Sequence, residues 1–364
     1  MPHPHPHQLT AFSPDVTPTP RIVFWETTGA CNLRCVHCRR EWSDAPPNEL
    51  STDEVKHLLI DAIADARWHS ILVFSGGEPL MRHDLDELIA YTAKRGLIPA
   101  VATNATLVDD AIARKFKDLG VSRVSVSLDG ASAPSHDAFR GLPGSFDDAV
   151  RGIHALRNAG VEVQVNVTFT KANRDDAPAM LDLVQKLDAC ALHVFLLVPV
   201  GCGVELPDDV RLEAAEVERL LTYFDDQATE RDFEIRATCA PQAQRIRRQR
   251  MRARERKGLP PGRGLAPSSK GCLAGGGILF VDAIGKVFPC GYLPLQAGDL
   301  RKTPLATILA ESELLSSLRD ASKLEGRCLG CEFDHSCGGC RARSFGTTGN
   351  LFGEEPSCPM NMAR

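Results

Sequence analysis

Short apolar runs alternate with amphipathic stretches from Arg21 to Val198, the pattern of repeated βα units on a parallel sheet. Six units can be traced, with strands predicted over Arg21 to Trp25, Ile71 to Phe74, Ile98 to Ala102, Arg123 to Leu128, Glu162 to Phe169 and His193 to Val198. The helices between them are well punctuated. Ser51 and Glu54 are spaced as a capping box, and Val55, Leu58, Leu59, Ala62 and Ile63 then share one helical face. Gly96, Gly120 and Gly160 stand where C-terminal caps belong. These units are too few to close a TIM barrel. The expected fold is therefore α/β, a partial (β/α)6 TIM-like barrel with its chemistry at the C-terminal ends of the strands.

Beyond Pro199 the pattern becomes irregular and more charged, with a helix predicted from Asp209 to Gln227. The stretch Arg245 to Lys257 then carries eight cationic residues and runs into a Pro/Gly-rich break. From Ser268 the chain is glycine-rich and cysteine-rich, as expected of a domain that gains much of its folding free energy from metal ligation. The predicted organisation is a flexible tail (1–20), the barrel core (21–200), a linker with helices (201–267) and a small cysteine-rich domain (268–364).

Composition narrows the function. With 364 residues, 43% of them hydrophobic, the chain can bury a sizeable core. A formal charge of -5 offers no global field for nucleic acid or anionic lipid. No apolar run approaches the roughly 18 residues of a membrane span, and the N-terminus lacks a signal-peptide core, so a cytoplasmic protein without nucleic-acid or membrane partners is expected. His3, His5 and His7 alternate with prolines and read as part of the flexible tail rather than as a metal site. Thirteen cysteines are many for a reducing compartment and point to metal rather than disulfides. Ten of them form two groups, leaving Cys190, Cys202 and Cys239 scattered between.

The first group is Cys31, Cys35 and Cys38, directly after the first strand. Three thiolates in one short loop can hold three irons of a four-iron cluster and leave the fourth open, whereas a zinc knuckle would need a fourth ligand such as His37. The spacing and position resemble the signature of the radical S-adenosylmethionine (SAM) superfamily. The resemblance implies a 4Fe-4S cluster whose open iron is chelated by SAM, and reductive cleavage to a 5'-deoxyadenosyl radical. His37 stands where the family usually places an aromatic residue near the adenine. Ser75 to Pro79 resembles the family's second motif, in which Gly76, Gly77, Glu78 and Pro79 would bind the SAM amino group. Ser127 and Asp129 at the end of the fourth strand, Asn166 on the fifth and Arg140 resemble further SAM-facing positions, Arg140 offering a bidentate partner for a carboxylate.

The second group, Cys272, Cys290, Cys328, Cys331, Cys337, Cys340 and Cys358, resembles the SPASM extension of radical SAM enzymes, which carries auxiliary four-iron clusters. One residue is missing from the commoner spacing between Cys337 and Cys340. Carried over by position, Cys328, Cys331, Cys337 and Cys358 would ligate one cluster. Cys272, Cys290 and Cys340 would hold a second. Its fourth place is open to Cys239, to a non-cysteine ligand or to substrate, and a pair of zinc sites would satisfy the same count.

Phe195 to Gly203, Ala237 to Pro241 and Cys337 to Arg343 are most similar to the heme b synthase and heme d1 branch. That resemblance implies oxidative decarboxylation of two propionates of iron-coproporphyrin III to vinyls, a porphyrin as small-molecule substrate, and a flavodoxin- or ferredoxin-type electron donor. Arg245, Arg247 and Arg248 could clamp porphyrin carboxylates or dock an acidic electron carrier. Cys202 and Gln242 depart from the residues usual in that branch. Maturation of a ribosomal peptide is the rival within enzymes, and a non-catalytic iron-sulfur or zinc-binding protein the rival outside them.

Overall fold

A computed structural model describes residues 19–41, 44–260, 264–265 and 270–361. The reading of His3, His5 and His7 lies outside them. The six expected strands are present as β1 (Ile22–Glu26), β2 (Ile71–Ser75), β3 (Ile98–Thr103), β4 (Arg123–Ser127), β5 (Glu162–Phe169) and β6 (Ala191–Leu196). They pair in chain order, all parallel. Parallel pairing buries both faces, and the β-branched runs of β4 and β5 suit it: Val124, Val126, Val163, Val165 and Val167 are fully enclosed.

Helices α1 (Leu85–Lys94), α2 (Asp110–Asp118), α3 (Ala133–Arg140), α4 (Ser145–Asn158) and α5 (Ala177–Lys186) cover the outside. The Ser51–Glu54 capping box is formed, and Gly96, Gly120 and Gly160 take φ of 78°, 79° and 74° at their helix ends. One detail departs from the expected helical face. The turn over Val55–Asp61 is a π-helix, and its wider pitch brings Ile60 into the core beside Val55, Leu59 and Ile63 while Leu58 stays at the margin.

The sheet continues past the six units at both ends. From the stretch read as linker come α6 (Ala214–Gln227), α7 (Gln242–Arg256) and, between them, β7 (Glu234–Thr238), parallel to β6. From the cysteine-rich region comes β8 (Ile278–Val281), parallel to β1, followed by the antiparallel β9 (Lys286–Phe288) and β10 (Gly298–Asp299). The order β10-β9-β8-β1-β2-β3-β4-β5-β6-β7 is an open, barrel-like sheet with eight parallel strands at its centre. No helix among the described residues is long and apolar enough to cross a membrane.

Candidate functional site

The C-terminal ends of the parallel strands form one rim, and the predicted site residues follow them in turn. Cys31, Cys35 and Cys38 follow β1, Gly76 to Pro79 follow β2, Asp129 follows β4, and Cys239 is the first residue after β7. Cys31 is exposed, Cys35 buried and Cys38 between the two. Burial pushes the Cys31 thiol up to about 11. The Cys35 thiol is also raised, burial outweighing the opposing effect of Arg140, whose Nη1 lies 3.6 Å from Cys35 Sγ.

The glycines of the second loop are there for backbone approach. A Cβ on Gly77 would lie 2.0 Å from the Ala30 carbonyl oxygen, and Gly76 (φ 143°) would meet the Thr28 oxygen at 2.8 Å. Gly77 N donates to Thr28 O (2.9 Å) and Glu78 N to Ala30 O (2.8 Å), so the two loops are zipped together. Glu78 is fully buried and accepts from Thr103 Oγ1 (2.7 Å), Asn104 N (2.9 Å) and Leu80 N (3.2 Å). Burial raises its carboxyl above the usual range despite those donors. These amides and this carboxylate hold the cysteine loop, β2 and β3 in one geometry. Pro79 opens the short 3-10 turn that follows.

Asp129 is the hub of the adjoining wall. It pairs with Arg140 at 2.5 Å and His37 Nε2 at 3.3 Å, and accepts from Thr168 N at 2.7 Å. Burial opposes its ionisation, yet Arg140 and His37 prevail and keep the carboxyl well below the ordinary value. The carboxylate that Arg140 meets here is therefore the chain's own. His37 packs on Phe139 with ring centroids 4.4 Å apart. Ser127 faces Asn166 in the β4–β5 register, and Asn166 Oδ1 accepts from Gln164 Nε2 at 2.7 Å.

Of the cysteines that the resemblance would assign to two clusters, Cys272, Cys290 and Cys340 lie in one neighbourhood, and Cys239 lies with them. Cys272, Cys290, Cys340 and Cys239 all pack on one small apolar cluster around Val198, Val200 and Leu293. Burial pushes Cys290 up to about 12 and Cys340 to about 11, and it raises Cys239 far above the ordinary thiol value. In each of those three, charge on the other members of the set adds to the rise. Cys239 also takes a left-handed φ of 54°, which a residue with a side chain adopts only where its surroundings enforce it. Cys328, Cys337 and Cys358 form the second neighbourhood, with Cys331 acting on Cys328, and burial lifts Cys337 to about 12. Among the described residues no three His, Cys, Asp or Glu side chains close on a single-ion site. The fit to a metal group is one of donor type and neighbourhood: soft, desolvated thiols whose charged forms oppose one another until a cation compensates them.

Several residues here gave no warning in the sequence. Arg343 and Glu355 form a buried pair at 3.2 Å. Arg343 also donates to Cys239 O (2.6 Å) and Leu196 O (3.2 Å), while Glu355 accepts from Cys340 N (2.6 Å). This clip ties the end of β7 to the cysteine domain. Tyr292 lies two residues after Cys290 and packs on the same apolar cluster as Cys239, and burial raises its hydroxyl pKa. Arg39 pairs with Glu26 (2.9 Å) and stacks over Phe280 (4.3 Å), which places the first cysteine loop against β8. Asn104, at the C-terminal end of β3, bonds Asn32 inside the cysteine loop at 2.8 Å. Its position was a usable signal, being a polar residue at a strand's C-terminal end. Cys202 is buried behind the first loop, its Sγ donating to Arg40 O (3.0 Å) and its N to Cys38 O (2.9 Å). Gln242 Nε2 donates to Ser357 O at 3.4 Å, and Cys190 lies at the start of β6, away from both sets.

Comparison with known proteins agrees with this layout. Residues 25–184 match the radical SAM superfamily, and residues 272–332 match the SPASM iron-sulfur cluster-binding domain. These domains imply SAM, a 4Fe-4S cluster and auxiliary iron-sulfur clusters. The chain is 44% identical over 344 residues to an AdoMet-dependent heme synthase of Methanosarcina barkeri, covering 94% of this chain and 97% of that one. It is 31% identical to the mycofactocin maturase MftC of Mycolicibacterium smegmatis, covering 93% and 82%. Among solved structures, native anSMEcpe with bound AdoMet superposes with a TM-score of 0.71 at 18% identity, covering 94% of this chain and 95% of that one, a likeness of fold. The chain belongs to the radical SAM superfamily, on the branch of the AdoMet-dependent heme synthases, and is a radical SAM enzyme with a SPASM domain.

Proposed function

We propose that this enzyme oxidatively decarboxylates propionates of a porphyrin, iron-coproporphyrin III, to vinyl groups. The observation that carries the reading is the 44% identity to an AdoMet-dependent heme synthase along nearly the whole of both chains. When bound at Cys31, Cys35 and Cys38, a four-iron cluster with SAM supplies a 5'-deoxyadenosyl radical, able to remove a hydrogen atom from a propionate.

The chain's own residues set the stage for that chemistry. The zipped loops at Ala30 and Gly77 fix the cysteines relative to the strand ends. Glu78, enclosed by Thr103 and Asn104, keeps the cysteine, β2 and β3 loops in register. His37 presents a ring to an adenine from its perch on Phe139, and Asp129, Arg140, Ser127 and Asn166 line the neighbouring wall as SAM contacts. Each vinyl formed releases carbon dioxide and one electron from the substrate after the hydrogen atom has gone. The four thiols Cys239, Cys272, Cys290 and Cys340 form a complete ligand set for one auxiliary cluster, and Cys328, Cys331, Cys337 and Cys358 for the other.

Anaerobic reconstitution with iron and sulfide, followed by dithionite, SAM and iron-coproporphyrin III, tests the reading. The expected products are 5'-deoxyadenosine and a porphyrin lighter by one carbon dioxide and two hydrogens per vinyl. A second reading, peptide maturation, has the similarity to MftC in its favour. Formation of 5'-deoxyadenosine without porphyrin conversion, together with a mass change in a co-encoded peptide, would establish it instead.

A further inference from the structure

Helix α7 carries more positive charge than its packing uses. Its inner face is consumed by structure: Arg245 pairs with Glu218 (3.0 Å) and bonds Gln249 (2.8 Å), and Arg250 pairs with Asp225 (2.9 Å) and with Asp226. These contacts pin α7 to α6. Arg254 donates to the Pro260 carbonyl at 2.8 Å.

The outer face is different. Arg248, Arg252 and Arg256 recur at every fourth position, so they form one stripe along the helix, continued by Lys257, and all four are exposed. Arg252 reaches Glu332 at 2.5 Å and lies 5.5 Å over the Phe333 ring. Both residues belong to the short loop between Cys331 and Cys337. Among the described residues, Arg248, Arg256 and Lys257 have no ion-pair partner; Glu255 lies on the helix itself, and the Cys331–Cys337 loop carries Glu332, paired with Arg252, and Asp334, beside His335. The charge runs along the helix from a thiol set that is half-buried, with Leu329, beside Cys328, 53% exposed and Met360, two residues beyond Cys358, 41% exposed.

A solvated helix on a protein of net charge -5 has no need to keep a one-signed row beside its cysteine set. We propose that the Arg248–Arg252–Arg256 stripe with Lys257 is the docking surface for an acidic one-electron carrier protein, seated over the loop between Cys331 and Cys337. The proposal rests on the reading of Cys328, Cys331, Cys337 and Cys358 as a redox cluster. It is independent of which substrate the enzyme takes. The arginines steer the carrier electrostatically, an effect that acts mainly on association and is weakened by salt.

The test uses the reconstituted full-length enzyme and a recombinant acidic flavodoxin. Direct binding by calorimetry is measured for the wild type, for R248E/R256E and for the charge-preserving R248K/R256K. The reversal variant should weaken flavodoxin binding at least about tenfold, and wild-type affinity should fall as salt rises, while R248K/R256K stays near wild type. Dithionite-driven formation of 5'-deoxyadenosine should be equal in all three. Unchanged flavodoxin affinity in R248E/R256E overturns the proposal, as does a raised KM for iron-coproporphyrin III with flavodoxin binding intact, which would make the stripe a porphyrin clamp. Loss of porphyrin conversion by the wild type itself would count against the proposed substrate and leave the docking result standing.

Discussion

The thiol loop on the barrel and the thiol sets in the C-terminal region are built on opposite plans. After β1, three cysteines of differing exposure share a single loop, which Arg140 meets at Cys35 from the end of α3 and the Gly77 loop meets at Ala30 from the end of β2. In the C-terminal region the cysteines come from separate segments, and Cys239, just after β7, packs with Cys272, Cys290 and Cys340 around Val198 and Val200. A three-thiol loop leaves a metal position open to a ligand from outside, whereas four thiols close it. The difference separates a place for chemistry from places for holding electrons.

The comparison breaks most sharply at the first loop. Replacing Cys35 by Ala should reduce 5'-deoxyadenosine formation to background while the iron bound by the C-terminal sets remains, seen by iron analysis and electron paramagnetic resonance. Cys239→Ala should do the reverse in kind: iron and auxiliary-cluster signal fall, and porphyrin conversion suffers more than SAM cleavage. Retention of full iron in Cys239→Ala would sink its assignment as fourth ligand.

Removal of Arg343 comes next in size. Arg343→Met takes the guanidinium away from buried Glu355, at a cost of about 3–5 kcal/mol in a denaturant titration, and the double change with Glu355→Gln should recover part of it. Gly77→Ala tests the barrel loop in the same units. Its methyl group would displace the Ala30 carbonyl, so a loss on the order of 2–3 kcal/mol in stability is expected, together with weaker SAM binding by equilibrium dialysis.

A pH dependence separates the two regions further. His136 is buried with its Nδ1 accepting from Asp129 N at 3.0 Å, and burial, aided by Arg140, lowers its pKa from 6.5 to about 4. A depressed value means the unfolded chain binds the proton more readily. The stability that the neutral ring provides is present above pH 6.5 and drains away as pH falls toward about 4. Chemical denaturation at several pH values should show this acid limb, and His136→Asn should flatten it. Smallest of all is Glu54, held by Arg301 and lowered to about 2. Glu54→Gln should cost less than about 1 kcal/mol, and that contribution disappears only as pH falls from 4.5 toward about 2.

What the sequence disclosed, and what it hid, follows from the range of the forces involved. Strands β1 to β6 were visible because two-sided burial demands unbroken apolar runs, and the Ser51–Glu54 box and the capping glycines because their chemistry is local. Strand β7 was hidden because Glu234 and Arg236 give an edge strand the look of a charged linker. Strand β8 was hidden because Ile278–Val281 is a brief apolar run among glycines, and only pairing with β1 makes it part of the sheet. In the site, the cysteine groups stood out by their clustering and the Gly76–Pro79 loop by its resemblance to a family motif. The Arg140–Asp129 pair, the Arg343–Glu355 clip and the company kept by Cys239 depend on which distant segments meet, and spacing is silent on that.

The pairing of β8 with β1 has a bearing on how the protein comes into being. Strand β1 is synthesised long before β8, its neighbour on one side, because the other parallel strands lie between the two in the chain. Until then that edge of the nascent sheet presents bare amides and carbonyls to the cell, a condition that favours helper proteins and penalises stalled or shortened chains. The same late segment brings Cys272 and Cys290 to meet Cys239. Covering that edge of the sheet and delivering Cys272 and Cys290 are thus one event in the life of the chain, and a truncation before Cys272 would leave an unfinished barrel.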